Sequence, residues 1–107
     1  MANHYIMIFM TAANKDEAEK IVQTLLQKKL IACANVIKSV KSHFFWKGTI
    51  DQGEECLVIM KSRMDLFEQI AEHVKGLHSY EVPEVLALPI VAGSEAYLRW
   101  MDEVLLK

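Results

Sequence analysis

The feature that most restricts the fold of this chain is a long run of strand-forming residues from Ile31 to Trp46. These sixteen residues are rich in β-branched and aromatic side chains, and fully extended they would span about 50 Å at roughly 3.3 Å per residue. A typical strand is only ~17–20 Å long. A second run, from Glu54 to Lys61, follows a glycine-containing segment. We therefore expect a β-hairpin whose far end extends beyond the core of the protein.

One face of the first predicted strand is largely apolar, although Lys38 and Ser42 interrupt it. Its residues occupy even positions, as the period of two in a β-strand requires. They are Ala32, Ala34, Val36, Val40, Phe44 and Trp46. Two turn signals follow, at Lys47–Gly48 and at Asp51–Gly53, and the sequence does not decide between them.

Phe44, Phe45 and Trp46 stand near the far end of this hairpin and point to both of its faces. Exposed together, three rings form the kind of apolar patch that usually marks an interface. The alternative is a bulge near Lys38–Ser39 that folds the hairpin back over the helices of its own chain. We expect self-association in preference to this alternative.

The rest of the chain alternates strand and helix patterns. Two further strands are predicted, a buried one at Tyr5–Met10 and an edge strand at Val85–Leu88. The first helix is capped by Asn14, with Glu17 three residues on, and the second carries Phe67, Ile70, Ala71 and Val74. A last helix is capped by Ser94 and buries Tyr97, Leu98, Met101, Val104 and Leu105. The order β-α-β-β-α-β-α begins with the ferredoxin-like split βαβ pattern. We therefore predict an α+β protein of one domain, residues 1–107, with a four-stranded antiparallel sheet, helices on one of its faces and an extra C-terminal helix.

Composition argues against several classes of protein. Hydrophobic residues make up 52% of the 107 residues and charged residues 24%, which is typical of a globular domain. The net charge of −2 provides no basic patch for nucleic acid. The longest apolar run, Ile6–Met10, is too short to cross a membrane, and Met1–His4 lacks the positive segment of a signal peptide. We therefore expect no nucleic-acid or membrane partner and a cytoplasmic location.

The two cysteines, Cys33 and Cys56, support the same location because they form no close-spaced pair. Either turn places them at least six residues out of register in the hairpin, a separation of ~20 Å, whereas a disulfide requires Cα atoms within ~7 Å. We expect no disulfide between them within one chain.

Several segments of the sequence, in the same order, resemble those of the CutA family of divalent-cation tolerance proteins. They are the hairpin segments Ala32–Ile37 and Val40–Gly48, the strand end Met60–Ser62, the motif His78–Glu84, and Tyr97–Trp100 in the last helix. The resemblance covers essentially the whole chain. It implies a ferredoxin-like fold assembled into a tight homotrimer by pairing of edge strands, in a quaternary form similar to that of PII signalling proteins. It also implies no established catalytic reaction and a role in tolerance of copper and other divalent cations.

The copper site of some family members is only partly present in this chain. Met10 stands where those members carry a cysteine, and Leu77–His78 keeps one imidazole of their paired histidines. Among the local patterns, His78-x-x-Glu81 with Glu84 nearby has metal-ligand character, and the Met10 thioether suits a soft ion such as Cu(I). We expect weak binding of copper or another divalent cation by His78, Met10 and Glu81. The alternative is a loop that holds a helix end and a subunit contact.

An intersubunit cleft is the second candidate site. The residues that we assign to the cleft or the interface are Phe44, Phe45, Trp46, Lys61, Tyr80 and Glu84. Lys61 would meet a small anion there, or alternatively form an ion pair with a carboxylate such as Glu81. Two departures from the family pattern lie in these regions, namely Ser79 in place of the usual proline and Phe44 in place of a common tyrosine.

Motifs typical of enzymes are missing from the sequence, which contains no P-loop, G-x-G-x-x-G, H-E-x-x-H or G-x-S-x-G pattern. We therefore expect a trimeric divalent-cation tolerance protein that takes part in the response to copper and other metal ions, and not an enzyme. The alternative is a PII-like sensor that binds a small anionic ligand between subunits. An enzyme that uses Cys33, Cys56 or His78 ranks last.

Overall fold

A computed structural model describes residues 4–107 of the chain. Its elements are β1 (Tyr5–Ala12), α1 (Lys15–Gln27), β2 (Cys33–Trp46), β3 (Thr49–Arg63), a short 3-10 turn (Met64–Leu66), α2 (Phe67–Leu77), β4 (Val85–Pro89) and α3 (Glu95–Val104). The order of strands and helices is the predicted one. The expectation about a signal peptide rests in part on Met1–Asn3, which lie outside the described residues.

The four strands form one antiparallel sheet in the order β2-β3-β1-β4. This arrangement confirms the predicted α+β fold with the ferredoxin-like topology. As Pro89 indicated, β4 lies at an edge, where β1 is its one partner among the strands of residues 4–107. No helix within residues 4–107 is long and apolar enough to span a membrane.

Helices α1 and α3 begin where the sequence places their caps. The side chain of Asn14 accepts a 2.8 Å hydrogen bond from the backbone N–H of Glu17, and the Glu17 carboxylate accepts one of 2.9 Å from the N–H of Ala13. At α3, the Ser94 hydroxyl accepts from the N–H of Tyr97 at 3.2 Å. Such caps satisfy N–H groups that have no partner inside the helix.

The core lies between one face of the sheet and helices α1 and α2. Its most deeply buried members include Ile8, Met10, Val58 and Met60 from the strands, Ile21 and Leu25 from α1, and Ile70 and Val74 from α2. In α3, Met101 is buried as predicted, whereas Tyr97 is 42% exposed and the prediction that it is buried is wrong. Tyr97 instead stacks obliquely against Trp100 on the outside of α3, with ring centroids 5.3 Å apart.

The turn of the long hairpin falls at Lys47–Gly48, where the φ angles are 50° and 85°. Two successive residues with positive φ define a tight two-residue turn of the type that suits the twist of β-strands. Trp46 therefore pairs directly with Thr49. The predicted start of the returning strand at Glu54 is wrong, because β3 begins at Thr49 and the turn-like residues Asp51–Gly53 lie inside it.

A β-bulge interrupts the pairing of β2 with β3. Ile37 pairs with Leu57 and Val40 pairs with Glu55, so that Lys38 and Ser39 together lie opposite the single residue Cys56. Beyond the bulge, residues 40–55 form a two-stranded extension that we call the arm. The arm does not fold back over the helices, since Phe45 at its tip is 75% exposed. The molecule accordingly measures 44 Å along its longest axis against 26 and 22 Å along the others.

The bulge also divides the apolar face predicted for β2. Ala34 and Val36 pair with the buried residues Met60 and Val58 and face the helices. Past the bulge, Val40 pairs with Glu55 and therefore lies on the opposite face of the sheet, as do the even-numbered Phe44 and Trp46. The prediction of one continuous even-numbered face is thus wrong, because the inserted residue changes the side to which even positions point.

The sheet face opposite α1 and α2, here called the open face, carries a second set of apolar side chains. Its members on the four-stranded part of the sheet include Met7, Phe9, Leu57, Ile59, Leu86 and Leu88. The first four are partly exposed, and Leu86 and Leu88 are 58% and 47% exposed. An exposed apolar surface of this extent is unusual for a protein that functions as a monomer.

Arg63, at the end of β3, holds the C-terminal segment against the sheet. Its side chain is only 8% exposed and forms ion pairs with Asp65 at 3.0 Å and with Asp102 at 3.4 Å. It also donates a 2.7 Å hydrogen bond to the carbonyl of Leu106. The hydrogen bond to Asp65 and the charge of both carboxylates raise the pKa of Arg63, although burial lowers it. Asp102 also accepts a 2.6 Å hydrogen bond from the hydroxyl of Tyr5.

Candidate functional site: a cavity between the arm and residues 80–84

A cavity of about 650 Å³ lies between the arm and the irregular segment 80–84. The arm contributes aromatic side chains to it and segment 80–84 contributes Tyr80 and two carboxylates. The lining residues are Thr11, Ser42, His43, Phe44, Phe45, Trp46, Gly53, Glu54, Glu55, Tyr80, Glu81, Val82 and Glu84. Residues that are far apart in the sequence therefore meet here because the hairpin is long enough to reach segment 80–84.

Most of the predicted cleft residues line this cavity, but Lys61 does not. It lies six residues from Glu55 along β3, a distance of ~20 Å. Its ammonium group donates to the side-chain amide of Asn35, and no ion pair with Glu81 forms within residues 4–107. In a single chain, Lys61 is therefore part of the open face, where it pairs with Met7 on the neighbouring strand.

Tyr80 connects segment 80–84 to the base of the arm. Its hydroxyl donates a 2.6 Å hydrogen bond to a carboxylate oxygen of Glu55. Burial, together with this hydrogen bond and the charge of Glu55, raises the pKa of Tyr80. Tyr80 consequently stays protonated and keeps its role as a donor at neutral pH.

His78 has a buried side chain, and hydrogen bonds occupy both of its ring nitrogens. Nδ1 accepts from the backbone N–H of Tyr80 at 3.0 Å, which leaves Nε2 of the neutral ring to donate to the carbonyl of Thr11 at 2.7 Å. The Tyr80 ring lies against the imidazole, with centroids 4.6 Å apart. Within one chain, His78 thus fixes the start of segment 80–84, as the loop alternative anticipates.

Glu17 supports the backbone next to this cavity, although the sequence identifies it only as part of a helix cap. Its second carboxylate oxygen accepts a 2.8 Å hydrogen bond from the N–H of Ser79, and its first lies 3.8 Å from Nδ1 of His78. A proline at position 79 has no N–H to donate, so the departure at Ser79 makes this contact available. Burial raises the pKa of Glu17, but the hydrogen bonds from Ser79 and Ala13 outweigh it and leave the pKa lowered.

The three predicted metal ligands occupy different surroundings. Met10 is fully buried in the core, His78 is hydrogen-bonded as described, and Glu81 is exposed at the cavity. Within residues 4–107, no group of three or more His, Cys, Asp and Glu side chains is arranged to hold a metal ion. Metal binding by these three residues stays a prediction.

The charge of the cavity lining is mainly negative. Glu54, Glu55, Glu81 and Glu84 contribute carboxylates, whereas His43 is the one basic type of side chain among the lining residues. The ammonium group of Lys47, in the turn of the arm, lies 5.7 Å from the ring centroid of Trp46. The lining that one chain supplies therefore suits a cationic occupant better than an anionic one.

The cysteines are free, as expected. Cys33 lies opposite Lys61, five residues from Cys56 along β3, so the two thiols are far too distant for a disulfide. The thiol of Cys33 lies 3.1 Å from the hydroxyl of Tyr97, and this hydrogen bond together with burial raises the pKa of Tyr97 to about 12. The sequence did not predict this contact, which joins residues 64 positions apart.

Fold and site together define a class of protein. The chain is a ferredoxin-like α+β domain with a projecting arm and an apolar open face, and its cavity is lined by rings and carboxylates. Comparison with known families agrees with this description, because residues 6–104 match the family model described as CutA1 divalent ion tolerance protein. The chain belongs to this family.

Individual relatives are similar over most of this chain. The divalent-cation tolerance protein CutA of Archaeoglobus fulgidus is 42% identical over 96 residues, which cover 90% of this chain and 93% of the relative. The chloroplastic CutA of Arabidopsis thaliana is 40% identical over 90% of this chain, and this chain spans about half of that relative, 53% of its length. The crystal structure of CutA1 from Oryza sativa superposes with a TM-score of 0.94 at 35% identity and covers 97% of this chain and 95% of that one.

Proposed function

We propose that this protein acts as a homotrimeric divalent-cation tolerance protein in the cytoplasm, without catalytic activity, and that it associates weakly with copper or another divalent cation. The observation that carries the proposal is the arm, which presents aromatic residues outside the core of its own chain. Phe45 and its cross-strand partner Ile50 are 75% and 74% exposed. Side chains of this kind gain roughly 1.5–3 kcal/mol each when they become fully buried.

The open face also supports assembly, on the side of the sheet opposite to Phe45 and Ile50. Phe44 and Trp46 lie on that face of the arm, and Leu86 and Leu88 extend it across β4. A surface that continues from the arm to the far edge of the sheet favours contact with other copies of the chain over contact with solvent.

The two edges of the sheet support a head-to-tail arrangement. The arm segment of β2 and the whole of β4 each have a backbone edge that is unpaired within the described chain. When one type of edge pairs with a different type of edge on the next copy, the contacts are heterologous, and a suitable rotation closes them into a ring. Three copies related in this way would leave no exposed edge of either type.

Weak metal binding is supported by the charge of the cavity and by the state of His78. The carboxylates of Glu81 and Glu84 attract cations to the cavity, where Glu81 is exposed and can act as a ligand. The His78 imidazole binds copper through a ring nitrogen only after it releases Thr11 or Tyr80. This exchange of bonds keeps the affinity low. The same carboxylates disfavour the PII-like alternative, in which the cleft holds a small anion.

The test is native mass spectrometry of metal-stripped protein, with and without Cu²⁺, on the parent chain and on His78→Ala. His73→Ala is the matched control, because His73 lies on α2 and its ring contacts only the carbonyl of Gln69 among described residues. We expect a trimer that takes up copper, loses it with His78→Ala and retains it with His73→Ala. A trimer that takes up no copper would contradict metal binding, and a monomer would contradict the assembly.

A further inference from the structure

The bulge at the base of the arm holds one residue in an unfavourable backbone conformation. Ser39 has a φ of 61°, a conformation that residues other than glycine rarely adopt. Lys38 and Ser39 are both exposed, so no burial of their side chains compensates for this conformation. A strained backbone that persists in an ordered strand usually serves a purpose elsewhere in the molecule.

Pairing between the strands does not require the extra residue. The core part of β2 pairs Ile37 with Leu57, and the arm pairs Val40 with Glu55. A chain without Ser39 would place Lys38 opposite Cys56 and would keep every one of the other cross-strand pairs in a regular ladder. The residue therefore affects something other than register.

A bulge of this kind bends its strand and increases the local twist. It lies where the arm leaves the part of the sheet that the helices cover, and therefore it determines the direction in which the arm extends. In the observed direction, Glu55 at the base of the arm reaches the Tyr80 hydroxyl, and the arm and segment 80–84 enclose the cavity.

We propose that the bulge at Lys38–Ser39 sets the angle between the arm and the core and thereby the number of copies that close the ring. This inference rests on the proposed head-to-tail assembly. In heterologous contacts, the rotation from one copy to the next decides whether a closed ring or an open chain forms. Because the arm would provide one side of each contact, a change in its direction changes that rotation.

Deletion of Ser39 is a direct test, because it removes the bend and leaves the composition of the arm, the open face and the cavity unchanged. We expect the deletion variant to lose the trimer and to appear as monomers, as rings of another size or as open oligomers in native mass spectrometry. Far-UV circular dichroism checks that the protomer is folded. A folded deletion variant that forms the same trimer at the same concentrations as the parent would overturn the inference.

Two substitutions keep the inference testable if the deletion variant does not fold. Glycine adopts positive φ freely, whereas a β-branched residue strongly disfavours it. We expect Ser39→Gly to keep the trimer and Ser39→Ile to raise the concentration at which the trimer dissociates by about tenfold. Equal dissociation of these two variants would contradict the role of the bulge. A parent chain that is monomeric would instead refute the assembly on which the inference rests, so the two failures are distinguishable.

Discussion

The hydroxyl of Tyr80 donates a 2.6 Å hydrogen bond to the carboxylate of Glu55, two residues that lie 25 positions apart in the sequence. Through this bond the irregular segment 80–84 is attached to the base of the arm, and the wall of the cavity depends on it. At the same end of the segment, His78 and Glu17 accept hydrogen bonds from the backbone N–H groups of Tyr80 and Ser79. The cavity is thus held by hydrogen bonds, whereas the core beneath it is held by apolar packing.

Tyr80→Phe tests this attachment. The substitution removes the donor and leaves the partly buried carboxylate of Glu55 without its partner, so we expect the free energy of unfolding to fall by about 1–2 kcal/mol. Urea unfolding at one fixed protein concentration measures the change. Tyr97→Phe is the control, because it removes only a hydrogen bond to a thiol, and we expect a smaller effect. If Tyr80→Phe matched the parent chain, the bond would contribute nothing to stability.

From the lowered pKa of Glu17 we predict how the stability of the protein depends on pH. An acid whose pKa is lower in the folded state stabilises the protein above its unfolded pKa, near 4.3, and this contribution disappears as the pH falls through the folded pKa. We therefore expect Glu17→Gln to be less stable than the parent at pH 7 by about 1–2 kcal/mol. The difference should shrink when both are compared below pH 4.

The control for this comparison is Glu72→Gln, a neutralised carboxylate on the exposed side of α2. Its difference from the parent should be small at both pH values. A difference between Glu17→Gln and the parent that is the same at pH 7 and at pH 3 would show that the carboxylate charge plays no part.

The two arginines of the chain are expected to differ widely in their contribution to stability. Arg63→Ala removes a buried guanidinium from two carboxylates and from the carbonyl of Leu106, so we expect a loss of about 3 kcal/mol. Arg99 is 63% exposed and forms an ion pair with Glu95 on the same helix, and Arg99→Ala should cost less than about 0.5 kcal/mol. Chemical denaturation of both variants measures the difference, and similar losses would contradict the role given to Arg63.

Trp46→Ala tests whether the aromatic residues of the arm stabilise the assembly. Trp46 is 41% exposed in the single chain. Loss of its burial between copies should weaken the free energy of assembly by about 1.5–3 kcal/mol, which raises the dissociation concentration of the oligomer at least tenfold. Met64→Ala is the control, since Met64 is 49% exposed in the 3-10 turn and lies outside the arm. Sedimentation at a series of concentrations compares them, and equal behaviour of the two variants would contradict the proposed contact.

Much of the fold follows from local patterns in the sequence. The caps at Asn14 and Ser94 and the edge position of Pro89 depend on neighbouring residues, and the structure confirms them. The sequence left the turn open between two signals, and the structure selects Lys47–Gly48, where Gly48 adopts a positive φ. The bulge lies near Lys38–Ser39, where the alternative to self-association placed it, but no glycine marks the left-handed Ser39 and the arm does not fold back over the helices.

The candidate site was only partly predictable for a different reason. Aromatic residues of the arm and the 80–84 motif stand out in the sequence, and they line the same cavity. The contact of Glu17 with Ser79 spans 62 positions, and the position of Lys61 depends on the register of β3. Such relationships are set by tertiary packing, which no short pattern in the sequence records.

The central claim is that the arm and the open face assemble three copies of the chain. The most direct measurement is the mass of the unmodified protein in solution, by light scattering or sedimentation equilibrium over a range of micromolar concentrations. We expect a single species with three times the 12.2 kDa mass of one chain. A species that keeps the mass of one chain at every concentration would contradict the claim.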